Sequence, residues 1–324
     1  MSGRGWYESM AEEDFARART RALLSRISGL LDPERDSLLP LEEVLALLKP
    51  GGETYVGMKA VEVDRIVGSE GRYRDFNRHF LPRKEHLRSR WISIDMANYE
   101  DVPLPPVRLY EIGGLYFVRD GNHRVSVARN RGQASIDAEV TSLDAQLPLK
   151  PGMTLEELKG EVIAYEKREF YAKTGFGEAT GDPDLDFTSP GRYDEILEHI
   201  LVHKYYVNQG LAREIDLVEA IFSWYENVYR PIVLAIDEEG LLARFPGRTK
   251  ADLYVFTVKH WDELKRKYGL DFPIAEAARD YGERFGKSPG DRALEGLAGI
   301  AARLRRRLGF AGAPGKRGSG KKGP

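Results

Sequence analysis

The sequence contains no cysteine. That single absence excludes disulfides, thiolate nucleophiles and cysteine-based zinc or iron–sulfur centres. There is also no apolar run near the roughly 18–20 residues that a membrane span needs. The first residues, MSGRGWYESMAEEDFARAR, hold no apolar signal core. The expectation is therefore a cytoplasmic protein with no membrane partner. No internal repeat is visible. What remains is an ordinary globular composition: 324 residues, 42% hydrophobic and 31% charged. That length suits two domains, or one domain with appendages.

Net charge is −2, but its sign is unevenly spread. From Arg303 onward stand eight bases (the last being Lys321 and Lys322) and no acid, so removing that +8 leaves the rest of the chain at −10. An acidic body is a poor general nucleic-acid surface, so any such binding is expected from the basic tail, residues 303–322. Improved solubility is the more usual role of such a lone Lys/Arg/Gly tail. A second basic stretch runs from Arg65 to Ile92, with eight bases against Glu70, Asp75 and Glu85.

Texture changes along the chain suggest four parts. Residues 1–56 read as an N-terminal helical segment, with helices over 8–32 and 41–48 stopped by Pro33 and by Pro50-Gly51-Gly52. Residues 57–146 read as a small mixed domain. A strand is expected over 61–66 and a helix over 82–96. Val107-Arg108-Leu109-Tyr110 and Leu115-Tyr116-Phe117-Val118 read as a hairpin turned by Gly113-Gly114. Ile136-Asp137-Ala138-Glu139-Val140 alternates like a last strand. Residues 147–308 read as mainly helical, with helices expected over 155–174, 193–207, 217–234, 250–268, 274–285 and 293–308. Residues 232–236 and 240–245 read as short strands or buried turns. Residues 309–324 form a low-complexity Gly/Lys/Arg tail expected to be disordered. The fold class is therefore α/β, more narrowly α+β.

The chemistry concentrates in YFVRDGNHRVSVARNRG, residues 116–132. Two readings fit its pattern. Asp-Gly is a strong turn dipeptide, so a hairpin with a returning strand is one. The other is strand, turn, helix, with Asp120 or Asn122 capping the helix start and Gly132 at its stop. In that second reading the unpaired amides and dipole of the first helical turn favour an anion beside His123 and Arg124. Arg124 can grip a phosphate with two parallel hydrogen bonds. Asp120 and Asn122 carry oxygens suited to Mg²⁺.

The quartet Gly121-Asn122-His123-Arg124, entered from a strand, resembles the signature of the ParB/sulfiredoxin-like superfamily. There the strand leads through such a turn into a helix, and the turn binds nucleotide phosphates. The Asp-Gly-X-His-Arg form is closest to that of the free serine kinases of this fold. The resemblance spans about 61–143. The wider chain also resembles bacterial proteins that set this domain between helical flanks, which bring no activity to carry over. Asn122 stands where sulfiredoxins carry Cys, which excludes sulfinic acid reduction through a thiol. It also replaces the ParB Glu, which argues against metal-assisted CTP hydrolysis but not against phosphate binding. No helix-turn-helix follows.

The resemblance implies a nucleoside di- or triphosphate ligand (CTP, ATP or ADP) with Mg²⁺, held by Gly121, Asn122, His123 and Arg124. Arg72 and Arg74 are expected as phosphate clamps, a solvated basic loop being their plainer reading. Asp120 and Asn122 are the expected metal ligands, and Asp120 and His123 the expected catalytic groups if a hydroxyl is deprotonated. The implied function is a nucleotide-binding regulatory protein associated with nucleic acid. A nucleotide-dependent phosphotransferase is the alternative, and a non-catalytic interaction scaffold a third reading. The oligomeric state, including a homo-oligomer, is left open. His79 and His86 read as surface residues. His199 and His203, four apart in a helix, have a spacing that suits zinc, but a partly buried helix face accounts for them. Trp224, Tyr225, Tyr229, Phe245, Tyr254, Phe256 and Trp261 read as core, and Thr249 as a helix cap.

Overall fold

The computed structural model describes residues 3–28, 34–268 and 273–287. The chain forms two compact units. One runs to Lys173 and includes Ser189–Asp194; the other is Thr174–Thr188 with the residues from Glu195 onward. The expected borders at 56/57 and 146/147 both fall inside the first unit. Helices on either side of them complete its core.

In the first unit, β1 (Leu39–Pro40), β2 (Glu53–Glu62), β3 (Ile66–Ser69), β4 (Val107–Ile112), β5 (Leu115–Asp120) and β6 (Ser135–Leu143) form one sheet in the order β1-β3-β5-β4-β6-β2. β4 and β5 are the expected antiparallel hairpin, and Gly113 and Gly114 both take positive φ at its turn. β3 lies parallel to β5, and β6 parallel to β4. The mixed sheet with helices is the expected α+β class.

Side-chain alternation along β5 divides the core in two. Tyr116 and Val118 face a cluster with Ile66, Phe76, Phe80, Val107, Val125 and Val140. Leu115 and Phe117 face the opposite cluster, closed by Leu41 and Val44 of α2 (Leu41–Leu48) and by Leu158 and Val162 of α5 (Leu155–Thr174). A third cluster joins α1 (Gly3–Ser28), α3 (Arg88–Tyr99) and α4 (Asn122–Asn130) through Phe15, Ala18, Trp91, Ile94 and Val127. Helix α4 thus lies between sheet and helices: Val125 belongs to the sheet cluster and Val127 to the helical one.

The expected strand over 61–66 is not one element. β2 ends at Glu62, a 3₁₀ turn covers Val63–Arg65, and β3 begins at Ile66. β2 pairs with β6 at one edge while β3 pairs with β5, so the chain must change position within the sheet between them. Val61, Val63 and Ile66 are all buried, which produces an alternating pattern without a continuous strand. The expected helix over 82–96 starts later, as a 3₁₀ turn Glu85–Leu87 followed by α3.

The second unit is helical, with α6 (Phe176–Thr180), most of α7 (Arg192–Asn208), α8 (Leu217–Trp224), α9 (Arg230–Glu238), α10 (Leu241–Arg244), α11 (Lys250–Tyr268) and α12 (Ile274–Phe285). The expected helix over 217–234 contains a π turn at Tyr225–Tyr229. Pro231 follows one residue after it; proline lacks an N–H and crowds the preceding turn, and the wider turn accommodates that. Residues 232–236 and 240–245 are not strands: the first lies in α9 and most of the second in α10. Trp224, Tyr229 and Tyr254 are buried as core, whereas Tyr225, Phe245, Phe256 and Trp261 are only partly buried; Thr249 caps α11, its Oγ1 accepting from Asp252 N–H at 3.0 Å. The expected helix over 293–308 and the 309–324 tail lie outside the described residues.

Phe117 is fully buried, and a Cβ on Gly68 of the neighbouring strand would stand 2.3 Å from its ring. Phe117→Ala should cost about 3–5 kcal/mol of unfolding free energy. Chemical denaturation of the two proteins checks this; a loss below about 1 kcal/mol would contradict the described packing.

Candidate anion site at the β5–α4 turn

β5 ends at Asp120, and the chain turns at Gly121 with φ +105° into α4. A Cβ at Gly121 would meet Val107 Cγ1 at 2.6 Å and the Arg124 guanidinium carbon at 3.1 Å. Both the positive φ and the crowding require glycine. The strand–turn–helix reading of DGNHR therefore describes the molecule, and the returning strand does not form. No side chain caps the helix, and neither Asp120 nor Asn122 fills that role. The first helical bond runs from Val125 N–H to Gly121 O at 3.0 Å. The amides of Asn122, His123 and Arg124 precede it and have no intrahelical acceptor.

Arg124, expected to grip a phosphate, is committed inside the protein. Its Nη1 donates to the carbonyls of Pro105 and, at 2.7 Å, Pro106, and its Nη2 donates to Asp120 Oδ2 at 2.5 Å. The Arg124 side chain is only 12% exposed, whereas Asp120 is 68% exposed. Its fork is used to hold the turn, because the carbonyls of the Pro105-Pro106 approach to β4 would otherwise face it without donors.

Asn122 and His123 are different. Asn122 is 7% exposed, and its Oδ1 is buried without a hydrogen-bond partner. His123 sets its ring edge-on to Phe76 at 5.4 Å, with Nε2 also buried and unpartnered. Burial, then the nearby charges of Arg72 and Arg90, push the His123 pKa down to about 4, with Asp75 opposing. The imidazole is neutral at pH 7. A buried polar atom without a partner is costly, so each of these two has hydrogen-bonding capacity left to use.

Of the two expected clamps, Arg72 is among the charges acting on His123. Its own ion pair, to Asp75, is long at 3.5 Å. Arg74 instead lines a cavity bounded by α1, where Arg72 and His123 are not part of the wall. Arg90, unremarked within the basic stretch 65–92, takes the second place beside His123. The packing of α3 on α4 brings it there, through Trp91 Nε1 donating to Ser126 Oγ at 2.8 Å. Sequence spacing carries no sign of that approach.

Among the described residues no group of three or more His, Asp or Glu side chains could hold a metal ion. Asp120 has one oxygen engaged by Arg124. Asn122 Oδ1 is an orphan oxygen of the right kind for Mg²⁺, but the cation would need phosphate oxygens to fill its shell. His199 and His203 do not form a metal pair: His199 Nδ1 lies 3.1 Å from Tyr254 Oη, and His203 Nε2 lies 2.9 Å from Ser223 Oγ. His79 and His86 are both exposed, as the surface reading expects; partial desolvation, then the charges of Arg78 and Arg129, hold the His79 pKa below its usual value.

Among the described residues, no helix is long and apolar enough to cross a membrane. No protein family, curated protein or solved structure compared with the chain matches it.

Gly121→Ala should destabilise the protein by more than about 1 kcal/mol, since the folded φ is positive and the added carbon has no room. Thermal or chemical unfolding checks this; an unchanged melting temperature would contradict the described turn. His123 gives a pH signature. Its folded pKa lies below the unfolded value, so its contribution is fully present above pH about 6.5 and is lost as pH falls toward about 4. Melting temperature followed over that window should fall less steeply for His123→Gln than for the native chain.

Proposed function

We propose that the β5–α4 turn binds the phosphates of a nucleotide, and that the chain is a nucleotide-responsive regulatory protein. The observation that carries this is the uncapped start of α4. Three amides without intrahelical acceptors stand beside a buried, unpartnered Asn122 Oδ1 and His123 Nε2. A phosphate accepts from such amides, and the helix dipole favours its charge. Arg72 and Arg90 supply positive charge, while Arg124 holds the turn in shape from behind rather than meeting the ligand. Asn122 Oδ1 accepts from a ligand hydroxyl or, with phosphate oxygens, takes part in holding Mg²⁺. The resemblance of Gly121-Asn122-His123-Arg124 to the ParB/sulfiredoxin-like signature supports the same reading. Nucleic-acid association would rest on the basic residues after Arg303.

Phosphotransfer is less well supported. A base with a pKa of about 4 is poorly matched to taking a proton from a hydroxyl at neutral pH. Asp120, the other candidate base, is held by Arg124 at 2.5 Å.

ATP, ADP and CTP, each with Mg²⁺, should be titrated calorimetrically against the native chain, Arg72→Ala and Arg90→Ala. At least one nucleotide should bind the native chain, and each variant should weaken it by about tenfold, the usual scale of a charge-assisted hydrogen bond. The absence of binding by all three would end the proposal. Release or transfer of phosphate during the titration would favour the enzyme reading instead.

A further inference from the structure

Arg74 belongs to a different feature. A cavity of ≈ 670 Å³ lies between α1 and the segment leading to α3. Its wall carries five cations, Arg19, Arg26, Arg74, Arg83 and Lys84, against one acid, Asp36. That volume is in the range of small-molecule sites, roughly 300–1,000 Å³.

The charges in this wall are unequally satisfied. Asp36 is buried and fully engaged: Oδ1 accepts from Ser25 Oγ and, at 3.3 Å, from Asn77 Nδ2, while Oδ2 accepts from Arg83 Nη2 at 2.7 Å. It has nothing left to offer the cavity. Lys84 is paired with Asp75 at 2.7 Å, and Arg19 stands 3.4 Å from Glu85 while donating to the Arg83 carbonyl. Arg26 and Arg74 have no carboxylate partner among the described residues. The Arg74 guanidinium lies over the Tyr73 ring at 5.4 Å, which positions it without neutralising it. Arg83 keeps Nε buried and without an acceptor. Donors therefore outnumber acceptors. The two unneutralised guanidinium groups come from separate walls, Arg26 from α1 and Arg74 from the segment before α3.

We propose that this cavity binds a small molecule carrying two or more phosphate groups, of the pyrophosphate class. A single anionic group can neutralise one wall; linked phosphates can engage Arg26 and Arg74 together, each guanidinium offering a planar fork of donors. Because Asp36 is consumed by Arg83, the described residues of the wall present no free carboxylate to repel them. The site does not share its lining with Gly121-Asn122-His123, and the proposal does not depend on the nucleotide reading of that turn.

Inorganic tripolyphosphate is the probe, titrated calorimetrically at low salt and again with added chloride. The native chain should bind it, more weakly as salt rises. Arg26→Gln and Arg74→Gln, made separately, should each weaken binding by about tenfold or more. Among the described residues neither side chain has a carboxylate partner, so unfolding curves of the two variants should match the native chain. Arg72→Ala, directed at the turn, should retain the cavity-dependent binding. The proposal is overturned if the folded native chain does not bind tripolyphosphate. It is overturned equally if both cavity variants bind as the native chain does, or if only the turn variant loses binding.

Discussion

Arg124 reaches back across the start of its own helix and ties together three oxygens: two carbonyls before β4 and the carboxylate at the end of β5. Gly121 has no side chain because that guanidinium and Val107 occupy the space a Cβ would need. This contact sets the direction in which α4 leaves the sheet. With that direction set, Val125 reaches the sheet core and Val127 the layer of α1 and α3. Ser126 completes the seating: its Oγ donates to the Phe80 carbonyl at 2.5 Å while accepting from Trp91. The open amides at the helix start are a consequence of how tightly the rest of that helix is held.

The arginines of the first unit divide by the same logic. Arg83, Arg124, Arg129 and Arg131 are internal ties. Arg129 donates to the carbonyls of Arg78, Val63 and Ile66, and Arg131 to the buried Asp95 at 2.6 Å. They satisfy carbonyls and carboxylates that burial would otherwise leave unpaired. Arg26, Arg72, Arg74 and Arg90 are exposed and lack such internal ties. Arginine charge that is not tied internally is therefore left at the surface of this unit. It gathers in two places: around the neutral His123, and in the cavity beside α1.

Local signals carried far in parts of the chain. Gly113-Gly114 between two β-rich runs defined a real hairpin, because a two-residue turn with positive φ is decided by its own residues. The ends of α5, α11 and α12 were equally readable, since caps and prolines act within one helical turn. Val61, Val63 and Ile66 misled because burial, not strand geometry, imposed their spacing. The π turn before Pro231 and the helical course of 232–238 and 241–244 depended on packing against α11 and α12, for which short apolar runs hold no signature.

The sequence alone determined that no thiol chemistry occurs here, that the chain is mixed α and β followed by helices, and that Asp120-Gly121-Asn122-His123-Arg124 is a turn of unusual polarity. It could not determine which of those polar groups face inward. Only the tertiary structure turned Arg124 into a tie, left Asn122 Oδ1 and His123 Nε2 without hydrogen-bond partners, placed Arg90 beside the imidazole, and moved Arg74 to a separate cavity. Backbone preference acts over a few residues, whereas the partner of a guanidinium is whichever oxygen the folded chain brings within about 3 Å of it.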